Sequence, residues 1–381
     1  MIDSKIVEDA LRCATRPVLL ETQDALQAAA QVWAAAPILG VDTEFLRERT
    51  YRAALGLVQV SDGEQAWLVD TVTLGNLDPL KEFFTNANCL KVVHSASEDL
   101  EVLWNSLGAI PSPLVDTQIA CALLGQPLQM SYHSMVKWLT GVDVDKELTR
   151  SNWIRRPLKP EQLHYAATDV VFLPAIFHHL RQELELLNRW SWLEEEVSRM
   201  SDKSRQPPDV ERAYLRIQAS SFLNRSGLHV LQALAAWRER MAIGKDSARG
   251  FILQDSVLMQ IATKQPGSAE ELAQVAELHP NALARYGEVF LEIVRDNREK
   301  SHSIDQAVPL SKHQCDLVKL MRDAVDSQAS QLGLDPSVLA SKKQLESLLR
   351  TQAAGDEPPE RLMGWRKTVI TDKLLDLATK E

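Results

Sequence analysis

Ile38-Leu39-Gly40-Val41-Asp42-Thr43-Glu44-Phe45 sets two carboxylates into an apolar, β-prone run. The run reads as a buried strand. Side chains two apart on a strand point to the same face, so Asp42 and Glu44 project together from the sheet. Half-desolvated like charges at that spacing repel each other and raise at least one pKa unless a cation lies between them. An ordinary strand end, with Asp42 capping a turn, accounts for an isolated Asp-x-Glu. A divalent-metal site requires further acids elsewhere in the chain.

Upstream, residues 17–20 read as a strand, and Thr22 caps a helix through residue 36 in which Leu26, Ala29, Ala30 and Trp33 recur at helical spacing. Pro37 ends that helix. Downstream, residues 55–60 and 66–70 read as strands joined through the turn residues Ser61-Asp62-Gly63. Between them and the acids lies a segment holding Arg47, Arg49, Tyr51 and Arg52, which is either a solvated turn or a phosphate-contacting rim. Residues 77–85 follow as a helix and residues 89–94 as a buried strand. Ser95 or Ser97 is then placed to cap a helix beginning at Glu98, with Asp99 in its first turn. Asp116 has the same cap-like position ahead of residues 117–124.

Residues 146–160 carry five basic groups against one acid, a local reversal of the overall charge, held by two prolines and Trp153. They lead into a helix over residues 161–171 whose Tyr165 and Asp169, four apart, share one face. Residues 201–211, with Pro207-Pro208, read as a linker. Beyond it the pattern is helical and weakly repeated. Trp237-Arg238 followed by Asp255-Ser256-Val257-Leu258 is echoed by Met321-Arg322 followed by Asp335-Pro336-Ser337-Val338-Leu339. Helix pairs over 268–276 and 280–294, then 342–350 and 362–378, complete two small modules separated by residues 298–309.

A chain of 381 residues with 45% hydrophobic and 25% charged residues has the composition of two or three globular domains. Cys13, Cys89, Cys121 and Cys315 show neither disulfide-framework nor zinc-ligand spacing, which fits a reducing compartment. No signal-like or membrane-spanning run stands out, and a cytoplasmic location is expected. The net charge of −10 argues against indiscriminate nucleic-acid binding. A locally basic cleft, or metal ions in an acidic pocket, would still admit nucleic acid as a substrate.

In order and context, Val41-Asp42-Thr43-Glu44-Phe45, His94-Ser95-Ala96-Ser97-Glu98-Asp99-Leu100 and Tyr165-Ala166-Ala167-Thr168-Asp169 resemble the three motifs of the DEDD 3′-to-5′ exonucleases. Together with Ser151-x-Trp153-x-x-Arg156-Pro157-Leu158 and two modules that look like HRDC domains, they make the whole chain resemble the bacterial ribonuclease D family. The family divides by a tyrosine four residues, or a histidine five residues, before the last Asp. His164 and Tyr165 fill both spacings, and the surrounding Arg-Pro-Leu and Tyr-Ala-Ala context resembles the tyrosine branch. Ala53 stands where a proline is common in the family.

The resemblance implies an α/β exonuclease domain, a ribonuclease H-like mixed sheet flanked by helices, over residues 1–204. Two small all-α HRDC-like domains follow over 210–297 and 305–381. It implies two divalent metal ions, Mg²⁺ or Mn²⁺, held by Asp42, Glu44, Asp99 and Asp169. Asp42 would bridge both ions, Glu44 and Asp169 would favour one, and Asp99 would serve mainly the other. Tyr165 would orient the attacking water, and Arg47, Tyr51, Trp153 and Arg156 are candidate substrate contacts.

The expected activity is an exoribonuclease acting as a monomer on RNA with a free 3′ end, tRNA precursors above all, and releasing nucleoside 5′-monophosphates. A proofreading-type DNA exonuclease and an inactive nucleic-acid-binding scaffold are the alternatives. Residues 1–204 are expected to fold and hydrolyse alone. The modules would add a weak RNA surface through Arg238, Arg240, Lys245 and Arg249 in the first, and Lys342, Lys343, Arg350, Arg366 and Lys367 in the second.

Overall fold

The computed structural model describes residues 2–144, 151–218, 223–300, 304 and 310–379. The first part of the basic loop, residues 146–150, and most of the segment between the modules lie outside the described residues.

Among the described residues, six strands form one mixed sheet: β1 (Val18–Leu20), β2 (Ile38–Leu46), β3 (Ala54–Ser61), β4 (Ala66–Asp70), β5 (Leu90–Val93) and β6 (Leu114–Asp116), in the order β1-β4-β3-β2-β5-β6. β2, β3 and β4 form an antiparallel meander, while β1, β5 and β6 join in parallel. The β3–β4 turn follows from its residues: the Asp62 carboxylate accepts from the N–H groups of Glu64 and Gln65, and Gly63 takes φ +94°.

The strand alternation splits the core in two. Leu39, Val41, Val58, Val60 and Val69 pack under α2 (Gln23–Ala35), α3 (Asp78–Thr85) and α4 (Ser97–Leu107). Leu57, Ala66, Leu68 and Val92 face the other way, onto α1 (Ser4–Ala14), α5 (Thr117–Leu123), α6 (Tyr132–Thr140), α7 (Pro160–Val171) and α8 (Leu173–Leu186). Gly40, two residues before Asp42, lies under the second layer. A Cβ there would come within 2.7 Å of the Val170 carbonyl oxygen and 2.9 Å of Leu173 Cβ, so only glycine lets the α7–α8 junction rest on β2.

Two local expectations change. Neither Ser95 nor Ser97 caps α4, since the cap residue is Ala96 and makes no side-chain bond. Ser95 sits at φ +61°, and the Ser95 and Ala96 N–H groups instead donate to Asp116 at 3.1 and 2.9 Å. Asp116 also caps α5 by accepting from Gln118 and Ile119. One buried carboxylate thus shapes two turns. The second change is at the linker, where α9 (Trp190–Arg205) runs through its first five residues.

The chain divides into two compact units. Residues 1–46, 54–206 and 310–381 form the first, and residues 47–53 with 207–309 form the second. The C-terminal module, α15 (Lys312–Leu332), α16 (Pro336–Leu339), α17 (Lys342–Ala354) and α18 (Asp372–Ala378), therefore belongs with the nuclease-like sheet, and its Met321, Val325, Leu348 and Ile370 join the same apolar core as Leu180 and Leu184 of α8. Arg366, 1% exposed, ion-pairs with Glu196 of α9 and donates to the Val338 carbonyl at 2.7 and 2.9 Å. Trp365 stacks on Trp192 at 4.2 Å and 8°. Arg189 donates to the Leu123 and Leu332 carbonyls at 2.7 and 2.5 Å.

This shared core bears on the expectation that residues 1–204 fold alone. Cutting after Lys203 would strip Glu196 of Arg361 and Arg366, leaving it Arg199 alone, and expose one side of α8 and α9. Arg366 is a core residue and contributes nothing to an RNA surface.

In the second unit, α10 (Arg225–Lys245), α12 (Asp255–Lys264) and α14 (Pro280–Asn297) enclose Leu231, Leu258, Ile261 and Phe290. Two one-turn helices, α11 (Arg249–Ile252) and α13 (Ala269–Leu272), connect them. The arginine segment belongs to this unit. Tyr51 donates to Glu239 at 2.6 Å, Ala248 N–H to the Arg49 carbonyl at 2.8 Å, and Arg52 N–H to Asp246 at 2.9 Å.

Candidate active site

β2 and α7 bring the acids together. Asp42 and Glu44 alternate out of β2 on the α7 side of the sheet, and Asp169 is on the helix that Gly40 admits against it. One carboxylate oxygen from each lies within 4.8 Å of the other two, and all three side chains are half-buried. A register shift in the β2–β3 pairing falls between Glu44 and Phe45, where the strand leaves the sheet's regular ladder.

Asp99 comes from α4, on the opposite layer, and meets the strand through Thr43, whose hydroxyl donates to its carboxylate. It therefore lies outside the group of three, while its charge still acts on Asp42 and Glu44.

Burial and mutual repulsion hold these groups toward their protonated forms. Asp42 is raised well above the ordinary carboxylate range by desolvation, then by Asp99, Asp169 and Glu44. Desolvation and the charges of Asp169 and Asp99 push Glu44 up to about 9. Asp169 is raised to about 7 by burial, against the opposing pull of a hydrogen bond from Tyr165, and Asp99 to about 6, chiefly by burial. Among the described residues, the charges that act on Glu44 are those of acids. Three convergent oxygen donors whose ionisation is suppressed by burial and, at Asp42 and Glu44, by mutual repulsion fit a hard divalent cation.

The two neighbours in the third motif have different surroundings. Tyr165 hydrogen-bonds Asp169 at the edge of the acidic group, whereas His164 is exposed and its Nδ1 pairs with the Ala14 carbonyl at 3.0 Å. The helix period separates the two neighbours by about 100°. Tyr132 braces α7 beside Asp169 by donating to the Thr168 carbonyl at 2.8 Å.

The four candidate substrate contacts fare differently from the acids. Trp153 is 1% exposed, packed 6.1 Å from the Tyr165 ring, and its carbonyl would meet a Cβ at Gly56 at 2.5 Å. Arg156 grips the fully buried Asp70 through two nitrogens and also donates to the Gly56 and Trp153 carbonyls at 2.7 and 2.8 Å. Both hold the loop onto β3 and β4; Trp153 is buried, while the Arg156 side chain stays 18% exposed. Tyr51 is bound to Glu239 with Arg249 over its ring at 4.7 Å, and Arg47 belongs to that same unit.

Sequence reading missed the Asp70–Arg156 latch, because Asp70 reads as an ordinary strand end. It also passed over Gln59, directly opposite Asp42 in register, 0% exposed and with neither amide atom hydrogen-bonded. A glutamine inside Leu57-Val58-Gln59-Val60 was the signal for it.

Comparison with known proteins agrees with this geometry. Residues 17–185 match the 3′-5′ exonuclease family, residues 227–294 the HRDC domain, and residues 315–374 the C-terminal HRDC domain of ribonuclease D. Ribonuclease D of Pseudomonas paraeruginosa is 34% identical, covering 90% of this chain and 93% of its own; that of Escherichia coli is 31% identical, covering 94% and 97%. The crystal structure of Escherichia coli RNase D, described as an exoribonuclease involved in structured RNA processing, superposes with a TM-score of 0.86 at 30% identity, covering 95% of this chain and 98% of that one. The catalytic core of RRP6 from Trypanosoma brucei follows with a TM-score of 0.60 at 26% identity, covering 74% and 79%. With an acidic group on β2 and α7, an exonuclease match and full-length relatives above 30% identity, the chain belongs to the ribonuclease D family of exoribonucleases.

Proposed function

We propose that the protein trims the 3′ ends of structured RNAs, tRNA precursors in particular, from the 3′ end inward, and releases nucleoside 5′-monophosphates in the cytoplasm as a monomer. The observation that carries this reading is the three-carboxylate group of Asp42, Glu44 and Asp169 with Tyr165 hydrogen-bonded at its edge. Asp42, Glu44 and Asp169, with Asp99 across the strand, would hold two divalent ions, Mg²⁺ or Mn²⁺. Such ions, when bound, stabilise charge on the entering and leaving oxygens of an in-line displacement and make water a stronger nucleophile.

The chain's own contribution is placement. The Gly40 contact fixes α7 against β2 and so sets the separation of Asp169 from Asp42. Thr43 holds Asp99 at the strand. Tyr165, whose free pKa near 10 makes it a poor base, orients the attacking water by its hydroxyl. The bond broken joins phosphorus to the 3′-oxygen of the penultimate nucleotide, so the released nucleotide keeps its 5′-phosphate.

The test is cleavage of 5′-labelled single-stranded RNA and DNA with Mg²⁺, Mn²⁺ or EDTA. A ladder shortening from the 3′ end on RNA, absent in EDTA, is expected. Undiminished cleavage in excess EDTA, or a ladder on DNA alone, would overturn the reading.

A further inference from the structure

Gln59 is a polar side chain that the packing of β3 leaves unspent. It sits in the apolar run Leu57-Val58-Gln59-Val60, is 0% exposed, and has no hydrogen-bond partner among the described residues for either Oε1 or Nε2. Buried amide atoms are ordinarily paired, because an unpaired one gives up its bonds to water with nothing in return. A leucine or methionine would fill nearly the same space without that cost.

The strand register says what the amide faces. Gln59 pairs with Asp42 across the antiparallel β2–β3 ladder, in its regular part and ahead of the shift between Glu44 and Phe45. Directly opposed residues present their side chains on one face with Cβ atoms about 4.5 to 5.5 Å apart, whereas Glu44, one pair further along that face, is a diagonal neighbour at about 7 to 8 Å. A glutamine carries its amide far enough beyond Cβ to meet a carboxylate at the shorter separation. Its further neighbours on that face are Leu57, Leu68 opposite on β4, and Ala166 and Val170 of the covering α7, all buried and apolar. Ser61 is occupied: its hydroxyl donates to the Gln65 carbonyl at 2.8 Å and accepts from the Gly63 N–H at 3.0 Å.

We propose that Gln59 is a positioning residue for the cation site: its Nε2 donates to the Asp42 carboxylate when that carboxylate holds a divalent ion, and so fixes the plane in which Asp42 offers its oxygens. The proposal rests on the reading of Asp42 as a metal ligand and deepens it. The residue type suits the task. An arginine or lysine there would neutralise Asp42 and compete with the ion for it, and an apolar residue would leave the carboxylate free to turn. A carboxamide donates without adding charge, and its complete burial keeps water from taking the same place. Groups that orient a ligating side chain are typically worth about 10- to 100-fold in metal affinity.

The experiment measures Mn²⁺ binding to the full chain by isothermal titration calorimetry with no RNA present, for the wild type, Gln59→Leu and Gln59→Met, together with their melting in EDTA. Both variants should bind Mn²⁺ about 10- to 100-fold more weakly. Neither should melt below the wild type in EDTA, since each removes a buried amide with both ends unpaired. The same shift should appear in cleavage of a 5′-labelled oligoribonucleotide. The Mg²⁺ concentration for half-maximal activity should rise about 10-fold or more, saturating Mg²⁺ should restore the rate, and KM for RNA should stay the same.

Wild-type Mn²⁺ affinity in a variant that folds would overturn the proposal and make Gln59 an unpaired core residue. So would weaker binding accompanied in both variants by a lower melting temperature in EDTA, which would assign the amide to the fold. A wild-type protein that binds no Mn²⁺ would overturn the metal reading itself, and this proposal with it, whereas wild-type binding that the variants match overturns this proposal alone.

Discussion

Burial and the charges of Asp99, Asp169 and Glu44 all hold Asp42 toward its protonated form. Replacing it with asparagine should abolish cleavage and raise the melting temperature of the metal-free protein at pH 8, since it removes one member of a repelling group. A lower melting temperature would mean that the carboxylate serves the fold. The same residues set a pH dependence. Folded pKa values of about 9 for Glu44, about 7 for Asp169 and about 6 for Asp99 exceed the unfolded values near 4. The folded state therefore keeps protons that the unfolded chain has lost, and the favourable contribution, full below about pH 4, drains away as pH rises through these values. Melting in EDTA should fall between pH 5 and pH 9, and saturating Mg²⁺ should remove most of that slope. At Tyr165, phenylalanine should lower kcat by about 10²- to 10⁴-fold with KM nearly unchanged. His164→Ala should cost at most about 1 kcal/mol of stability through its lost bond to Ala14, with activity retained.

Around the acids, the elements do the positioning. The loop before α7 is anchored by Arg156 on Asp70, a carboxylate that burial alone would push upward and that the Arg156 hydrogen bonds bring below its ordinary range. Arg156→Ala would leave Asp70 buried and unpaired, which should destabilise the protein by about 3 to 5 kcal/mol in urea unfolding. The surviving folded enzyme should show an unchanged KM for short RNA. A raised KM with undiminished stability would instead return Arg156 to the substrate surface. Gly40 acts at the same scale: a side chain there must separate β2 from the α7–α8 junction, which is to say Asp42 from Asp169.

At the scale of the molecule, the C-terminal module is part of the nuclease core. Glu196, held down to about 2 by the arginines around it despite its burial, is shared among Arg199, Arg361 and Arg366. Truncation after Lys203 should yield a chain that fails to fold cooperatively, as far-UV circular dichroism on heating would report, and Arg366→Ala in the intact protein should cost about 3 to 5 kcal/mol. A stable, active 1–203 fragment would contradict the shared core. The sequence by itself determined what is local or periodic: the strand and helix patterns, the alternation that puts Asp42 and Glu44 on one face, the i, i+4 pairing of Tyr165 with Asp169, and the repeat of two helical modules. Those depend on φ/ψ preferences and on side-chain spacing along one element. Only the tertiary structure decided that Asp99 approaches from the opposite layer through Thr43, that Trp153 and Arg156 turn inward, that residues 47–53 leave the acidic strand's unit for the first module, and that Arg366 is buried. An exposed arginine and a buried one look alike in sequence, because a cation's place depends on whether a carboxylate remote in the chain, such as Asp70 or Glu196, has already been taken from water to meet it.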